Sequence, residues 1–222
     1  MRYKVILFDL DGTLTDPFWG ISQSVQYALS KMGFESPSLH QLRAFIGPPL
    51  QESFEQMFHM NKLDAQRAIT FYRERYTDQG IYENELYPGI RQLLSLLINK
   101  GYILVIATSK PTVFAERIMT HFGLEHYFDR IIGSHLNGDR SNKAEIIGHI
   151  INIYPQVLPS DFIMVGDRMH DIIGAHKAGI DSIAVLYGYG SEAELKHSKP
   201  CFLAKSTDEL SLLFESFSCV ST

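Results

Sequence analysis

The sequence predicts an α/β fold, in which a Rossmann-like parallel sheet carries helices on both faces and is joined to a small all-helical cap domain. Three observations indicate this fold. A short apolar strand opens the chain, residues 20–79 hold helical segments with no strand between them, and strands alternate with helices from residue 87 onward. Such alternation is typical of parallel βαβ units covered on both faces.

The first element is a strand at residues 3–8, YKVILF, which is short and apolar and ends at an acid. It runs directly into Asp9 and Asp11, two acids separated by one residue. Carboxylates repel one another and are costly to remove from water, so two of them at a buried strand end need a positively charged partner. Taken alone, the pair also fits a solvated turn.

The next elements are helices, because apolar residues recur at helical spacing between glycine and proline breaks. The four helical segments are residues 21–33, 38–46, 50–58 and 64–76. We therefore expect residues 16–86 to form a helical cap domain. The catalytic core would then consist of residues 1–15 and 87–222.

In the second half of the chain, apolar strands alternate with amphipathic helices. The strands are expected at 102–107, 129–134, 161–165, 181–188 and 201–204, and the helices at 88–101, 111–123, 141–154, 170–179 and 207–217. Ligands of such sheets bind beyond the carboxyl ends of the strands, so the chemistry is expected there.

Polar side chains follow several of these strands. They are Asp9 and Asp11 after the first strand, Thr108, Ser109 and Lys110 after the strand at 102–107, Lys143 in the first turn of the helix after DRIIGS, and Asp167 and Asp171 after the strand at 161–165. Because parallel strands end at one edge of their sheet, we expect these side chains to lie close together.

The grouping of these residue types predicts phosphoryl transfer. Crowded carboxylates need a hard cation, and Mg²⁺ favours oxygen ligands. A lysine and a hydroxyl group facing that cation form a seat for a phosphoryl group. One aspartate can then attack phosphorus to form an aspartyl phosphate, while a second gives a proton to the leaving oxygen.

The motifs FDLDGT and GDRMHD, with a threonine after an apolar strand and a lysine before a helix between them, resemble the haloacid dehalogenase superfamily. The helical segment after the first strand resembles the cap of its phosphoglycolate phosphatase-like branch. FIGPPL, IATSKP, IMVGDRMHD and VLYGYGS look like members described as phosphoglycolate phosphatases or 5′-nucleotidases.

The resemblance implies roles for the two acids of the first motif and for the phosphate-binding residues. Asp9 would be the nucleophile and a magnesium ligand. Asp11 would be the acid and base, and its backbone carbonyl would also reach the metal. Thr108 and Lys143 would hold the phosphoryl group together with Ser109, which stands where this branch often has Asn.

The resemblance also implies that Asp167 is a metal ligand and that Asp171 contacts the metal indirectly or through water. Each assignment has a plainer alternative. Asp171 is also placed to cap or pair within its helix, Thr108 to cap the helix that starts near Pro111, and Lys143 to be a surface lysine.

Two residues of the predicted cap are candidates for specificity. Gly47, in the Gly47-Pro48-Pro49 triplet, resembles a cap loop that dips into the active site, although a simple helix break also explains it. Arg43 is one helical turn earlier and is either a ligand for a substrate anion or a solvated arginine. The Tyr187–Gly190 run is expected to be a turn, and His170 receives no role.

Composition excludes several other classes of protein. The chain has 222 residues, 45% of them hydrophobic, and a formal net charge of −5. This charge lacks the basic excess that is typical of proteins that bind nucleic acid or an anionic membrane. No stretch resembles a signal peptide or a membrane span. Cys201 and Cys219 have no metal-type spacing and are typical of thiols in a reducing cytoplasm. We expect a cytoplasmic monomer or homodimer that acts on a small phosphorylated metabolite.

The predicted function is therefore a magnesium-dependent phosphatase of small phosphate monoesters, of the phosphoglycolate or nucleoside 5′-monophosphate type. A sugar phosphomutase is the alternative, since it uses the same pair of aspartates. A dehalogenase is disfavoured because displacing halide needs neither Asp11 nor a metal cluster. A non-enzymatic regulator is expected to lack one of Asp9, Asp11, Lys143 or Asp167, and all four are present.

Overall fold

The structure is a computed structural model that describes residues 2–35 and 37–218. The chain forms two compact units, one of Met1–Thr15 with Leu86–Thr222 and the other of Asp16–Glu85. The cap range expected from the sequence, residues 16–86, ends one residue beyond the second unit. Cys219 lies outside the described residues.

The first unit is built on a six-stranded sheet with the order β5-β4-β1-β6-β7-β8, and every neighbouring pair is parallel. Its strands are β1 (Val5–Phe8), β4 (Ile103–Pro111), β5 (Arg130–Ser134), β6 (Phe162–Gly166), β7 (Asp181–Val185) and β8 (Phe202–Ala204). The predicted parallel α/β core is confirmed.

The helices of this unit follow the strands as the periodicity predicts. They are α5 (Ile90–Asn99), α6 (Thr112–Phe122), α7 (Lys143–Ile153), α8 (Met169–Ala178), α9 (Glu192–His197) and α10 (Thr207–Ser218). The six-residue α9 was not predicted, because so short a segment shows no helical periodicity. Its signal is local, since the side chain of Ser191 accepts a hydrogen bond from the backbone N–H of Glu194 and caps the helix.

Alternate residues of the central strands point to opposite faces of the sheet, and both sets are buried. One face packs against α7 and α8 in a cluster that includes Leu7 of β1, Val105 of β4, Met164 of β6, Ile146 of α7 and Ala175 of α8. Burial on both faces explains why these strands read as continuous apolar runs in the sequence.

The position of β1 determines where the site forms. β1 lies in the middle of the sheet, between β4 and β6. The chain continues from β4 to β5 on one side of β1 and from β6 to β7 on the other side, so the strand order reverses direction here. Open α/β sheets bind ligands at such a switch point, beyond the carboxyl ends of the strands. Asp9 follows β1 directly and therefore lies at this point.

One predicted strand end is wrong. The polar residues Thr108, Ser109 and Lys110 were expected to follow a strand that ends at residue 107, but β4 continues to Pro111. Its pairing with β5 is interrupted after Ala107 and resumes where Pro111 meets Ser134. The three residues therefore form an irregular segment inside a strand. Because they are polar, the sequence indicated that the strand ended before them.

The second unit is helical, with α1 (Phe18–Lys31), α2 (Leu39–Leu42), α3 (Leu50–Phe58) and α4 (Lys62–Tyr76). Arg43–Phe45 and Gly80–Tyr82 form 3-10 turns. Two short strands that the sequence analysis missed, β2 (Thr15–Asp16) and β3 (Glu85–Leu86), pair with each other at the two points where the chain passes between the units. Among the described residues, no helix is long and apolar enough to cross a membrane.

In the helical unit, the backbones of two glycines lie in close contact. Gly20 in α1 lies against Gly80, and a Cβ added at Gly20 would overlap the Gly80 carbonyl oxygen. The hydroxyl of Ser24 donates to the Gly20 carbonyl over 2.7 Å, and Arg75 donates to that hydroxyl over 3.3 Å and to Glu83 over 2.8 Å. The 3-10 turn can approach α1 only because residue 20 has no side chain.

We predict that Gly20→Ala lowers the free energy of unfolding by about 1–3 kcal/mol, the usual cost of overpacking a rigid contact. Gly148→Ala is the matched control, because Gly148 lies in α7 and a Cβ added there meets no atom within 4 Å. Denaturant unfolding followed by circular dichroism measures both. A Gly20→Ala midpoint equal to or above that of the wild type would contradict this packing.

Candidate active site

Asp9 lies at the centre of the site because β1 ends directly before it. Its backbone N–H donates to the carbonyl of Val165 on β6 over 2.9 Å, so the strand pairing itself fixes the residue. Its side chain is buried, and one oxygen, Oδ1, lies 2.9 Å from Nζ of Lys143. The acid therefore has the cationic partner that the sequence analysis required.

Lys143 is the first residue of α7 and brings one ammonium group to three oxygens. Its Nζ lies 2.9 Å from Oδ1 of Asp9, 2.8 Å from Oδ1 of Asp171, and donates to the Ala107 carbonyl over 2.8 Å. Burial acts to lower the pKa of Lys143, but the charges of Asp171 and Asp9 outweigh it and raise that pKa. Lys143 is therefore a buried ammonium group whose charged form is favoured by two carboxylates, and not a surface lysine.

Three buried carboxylates meet beside this ammonium group. Asp9, Asp167 and Asp171 each offer an oxygen, and these oxygens lie within 4.8 Å of one another. Burial first, and then the charges of Asp9 and Asp171, raise the pKa of Asp167 well above its ordinary value. All the donors are hard oxygens, so the three residues fit a divalent cation such as Mg²⁺, which would remove this repulsion.

Asp167 is held by a cradle that admits no extra side chains. A Cβ added at Gly12 or at Gly188 would overlap the Asp167 side chain. Thr13 donates through Oγ1 to its Oδ1 over 3.3 Å, and the backbone N–H of Tyr189 donates to its Oδ2 over 2.8 Å. The carboxylate therefore stays fixed at the edge of the sheet, next to Asp9.

Asp171 caps the start of its own helix and also pairs with Lys143 of α7. It lies in the first turn of α8, and its Oδ2 accepts the backbone N–H of Arg168 over 3.1 Å, as a helix-capping residue does. Its Oδ1 lies 2.8 Å from Lys143 Nζ. Burial raises the pKa of Asp171 to about 6, although Lys143 opposes the shift.

Asp11 is buried apart from this cluster and has a cationic partner of its own. Both of its carboxylate oxygens lie 2.7 Å from Nζ of Lys110, on β4. Burial raises the pKa of Asp11, Lys110 acts to lower it, and the charge of Asp9 adds to the increase. The turn that carries Asp11 depends on Gly12, whose φ of 88° lies in the left-handed region.

The hydroxyl residues predicted to bind phosphate lie on the irregular part of β4. Thr108 is buried, and its Oγ1 accepts the backbone N–H of Lys110 over 3.3 Å. It therefore orders its own strand segment and does not cap α6, which begins at Thr112 after Pro111. Ser109 is half-buried.

The remaining candidates are placed within their own units. Arg43 begins a 3-10 turn, and its guanidinium carbon lies 5.8 Å from the ring centre of Phe18. Gly47 has a φ of 106°, which requires glycine. In the predicted Tyr187–Gly190 turn, the Tyr187 hydroxyl donates to the Thr13 carbonyl over 2.9 Å, so the turn is tied to the loop after β1. His170 is in the first turn of α8.

Sequence reasoning missed three contributors to the site. The sequence predicts Lys110 at a strand end without a role, and it does not identify Thr13 and the Gly188 backbone as supports of Asp167. The signals were present, since Thr13 completes the DGT triplet and Gly188 belongs to the YGYG run. The contacts of Lys110 with Asp11 and of Thr13 with Asp167 join residues 99 and 154 positions apart in the sequence. Gly188 meets Asp167 from a different element. Local sequence patterns cannot show such contacts.

Comparison with known proteins identifies the family of this chain. Residues 6–185 match the family model described as haloacid dehalogenase-like hydrolase. The chain is 44% identical over 216 residues to a protein of Pseudomonas aeruginosa named 5′-nucleotidase, covering 97% of each. It is 39% identical to the tyrosine-protein kinase PtkA of Mycobacterium tuberculosis, over 84% of this chain and 63% of that protein. More distant relatives are named phosphoglycolate phosphatase.

A solved structure gives the same result for the fold. The crystal structure of a predicted phosphatase from Clostridium acetobutylicum aligns with a TM-score of 0.94 at 43% identity, covering 97% of this chain and 100% of that chain. The assignment as a phosphoric monoester hydrolase is supported by the family match and the names of these relatives. The chain belongs to the haloacid dehalogenase-like hydrolase family.

Proposed function

We propose that this protein is a magnesium-dependent phosphatase that hydrolyses small phosphate monoesters through an aspartyl phosphate on Asp9. One observation carries the proposal: the buried Asp9 carboxylate lies 2.9 Å from the Lys143 ammonium group and within 4.8 Å of oxygens of Asp167 and Asp171. A carboxylate in this position is a nucleophile beside a site for cationic charge, which is what attack on an anionic phosphoryl group requires.

In the first step, an oxygen of Asp9 attacks phosphorus, the new Asp9–phosphorus bond forms, and the bond from phosphorus to the leaving oxygen breaks. Lys143 neutralises charge on the transferring group and keeps the attacking side chain oriented. Asp9, Asp167 and Asp171 would hold the divalent cation, which when bound offsets the negative charge of the phosphoryl oxygens. Thr108 and Ser109 are proposed to donate hydrogen bonds to those oxygens.

Asp11 is proposed to handle the proton in both steps. It gives a proton to the leaving oxygen as the ester bond breaks, and then takes one from the water that hydrolyses the aspartyl phosphate. Burial, the first cause of its raised pKa, favours the protonated form that the first step needs. Free phosphate and an alcohol are the products, and Asp9 is regenerated.

For the substrate, we propose a nucleoside 5′-monophosphate first and phosphoglycolate second. The first is supported by the 44% identity to the relative named 5′-nucleotidase, the second by the more distant relatives named phosphoglycolate phosphatase. Arg43 and Gly47 are proposed to contribute to the choice between them from the helical unit. A cytoplasmic protein with a small phosphorylated metabolite as its partner fits either substrate.

A phosphate-release screen over phosphorylated metabolites, with magnesium present, tests this function directly. Product analysis with a hexose 1-phosphate separates the phosphomutase alternative, because a mutase yields the 6-phosphate and a phosphatase yields free phosphate. The relative named a tyrosine-protein kinase adds another assay, in which ATP and a tyrosine-containing acceptor are supplied and phosphotyrosine is measured. Phosphotyrosine formation without release of phosphate from any monoester would overturn the proposal.

We predict that chelation of divalent cations abolishes turnover, that magnesium restores it, and that calcium inhibits. Calcium accepts 6–8 ligands in flexible geometry, so in this site it would leave the Asp9 carboxylate less free to attack phosphorus. Magnesium should also raise the thermal midpoint of the wild type, since it binds the folded state alone. Asp167→Asn serves as the control and should lose most of that increase. Full turnover by metal-free protein contradicts the mechanism.

Asp9→Asn and Asp11→Asn are expected to fail in different ways. Asp9→Asn removes the nucleophile, so no phosphoenzyme forms with any substrate. Asp11→Asn loses only proton transfer, a step worth roughly 10²–10⁴-fold. With p-nitrophenyl phosphate, whose leaving group departs unprotonated, this variant should release a rapid burst of nitrophenolate before slow turnover.

Rapid-quench kinetics measure the burst, and mass spectrometry detects the phosphate adduct on Asp9 in the Asp11→Asn variant. The two variants control for each other, because each replaces a buried carboxylate by the amide of the same size. A burst from Asp9→Asn and none from Asp11→Asn would mean that the two roles are reversed.

A further inference from the structure

A second buried ion pair, between Lys110 and Asp11, has no role in the chemistry described so far. Nζ of Lys110 lies 2.7 Å from each of the two carboxylate oxygens, and the two side chains are only 7% and 10% exposed. Burying two charges costs several kcal/mol per ion, and a pair of apolar residues is often at least as stable. Stability alone therefore does not explain why a lysine occupies this position.

The backbone of Lys110 is held on both sides. Its N–H donates to Oγ1 of Thr108 over 3.3 Å, and its carbonyl oxygen packs so closely on Gly133 of β5 that a Cβ there would overlap it. The regular pairing of β4 with β5 resumes one residue later, at Pro111. The lysine thus projects from an anchored segment of strand, and its ammonium group has a defined position.

Each of the two lysines of the site pairs with one of the two acids of the FDLDGT motif. Lys143 contacts Asp9 and does so from α7, whereas Lys110 contacts Asp11 from β4. Each carboxylate thus has its own cation on a separate element. An ammonium group bound to both oxygens of Asp11 fixes the plane of that carboxylate as well as its location.

We propose that Lys110 is a positioning residue for the hydrolysis: it holds the carboxylate of Asp11 in the orientation from which that acid exchanges protons with the leaving group and with water. The inference rests on the proposed function, in which Asp11 is the acid and base. Each carboxylate oxygen has two lone pairs, so one contact to Lys110 on each oxygen leaves the other lone pair for the proton. Orientation matters because proton transfer requires a heavy-atom distance of about 2.6–3.2 Å.

The test compares the wild type with Lys110→Met, which keeps an unbranched side chain and removes the ammonium group. We expect kcat/KM for an alkyl phosphate to fall about ten-fold or more, part of the roughly 10²–10⁴-fold supplied by acid–base catalysis. The value for p-nitrophenyl phosphate should change by less than about two-fold, because kcat/KM reports the steps up to ester cleavage and nitrophenolate needs no proton. Lys177→Met, which removes an exposed lysine from α8, is the matched control and should change neither value.

A double variant separates positioning from general destabilisation. If Lys110 acts through Asp11, then Lys110→Met should cost nothing further in the Asp11→Asn background, since the two effects belong to one interaction. If Lys110→Met fails to fold, as judged by circular dichroism, Lys110→Gln replaces it in the same comparison. Additive losses in the double variant would overturn the proposal.

The remaining outcomes are also informative. An equal loss of kcat/KM with both substrates, accompanied by weaker inhibition by inorganic phosphate, would make Lys110 a phosphate ligand and would overturn the positioning role. The ratio of kcat/KM for the alkyl phosphate to kcat/KM for p-nitrophenyl phosphate is the decisive quantity. If Lys110→Met leaves this ratio unchanged while Asp11→Asn lowers it, this inference is refuted and the proposed function is left intact. A wild type that is inactive on every monoester would refute the proposed function itself.

Discussion

The balance of buried charge at the carboxyl edge of the sheet is the constraint on which the rest of the structure depends. Among the residues that the structure describes, the buried carboxylates of Asp9, Asp11, Asp167 and Asp171 lie at this edge with the ammonium groups of Lys110 and Lys143. These side chains leave a formal charge of −2, which one divalent cation balances. Uncompensated charge in a medium of low dielectric is costly, so the fold must either bind a cation here or keep protons on some of these acids.

The same constraint explains the glycines around the site. Carboxylates can gather this closely only if the backbone beside them carries no side chains, and a Cβ at Gly12, Gly166 or Gly188 would overlap Asp167 or Asp171. Gly12 also adopts a φ of 88°, which other residues rarely reach. These positions give up the stability that a side chain could add, and the acids gain a fixed arrangement in return. Natural proteins break local rules of this kind mainly at functional sites.

Much of this could be predicted from the sequence, because the signals were local. Strand β1 with its two acids, the alternation after residue 87, and Lys143 at the start of α7 follow from periodicity and from the rule that ligands bind at strand ends. The irregular segment Thr108–Lys110, the partnership of Lys110 with Asp11 and the cradle around Asp167 did not follow. They depend on pairing register and on contacts between distant segments, and a polar residue inside a strand reads in the sequence like the end of one.

The buried charges at this edge of the sheet do not by themselves determine which reaction the protein catalyses. In the proposed mechanism, Asp9 and its neighbours support formation of a bond from carboxylate to phosphorus, whichever group leaves. In the proposed mechanism, whether water or a hydroxyl of another molecule accepts the phosphoryl group would depend on access to the aspartyl phosphate. Relatives similar over 84% or more of this chain carry names as different as 5′-nucleotidase and tyrosine-protein kinase. On such a fold, function depends on the residues that control access of the acceptor molecule to the site. The acids at the strand ends only make phosphoryl transfer possible.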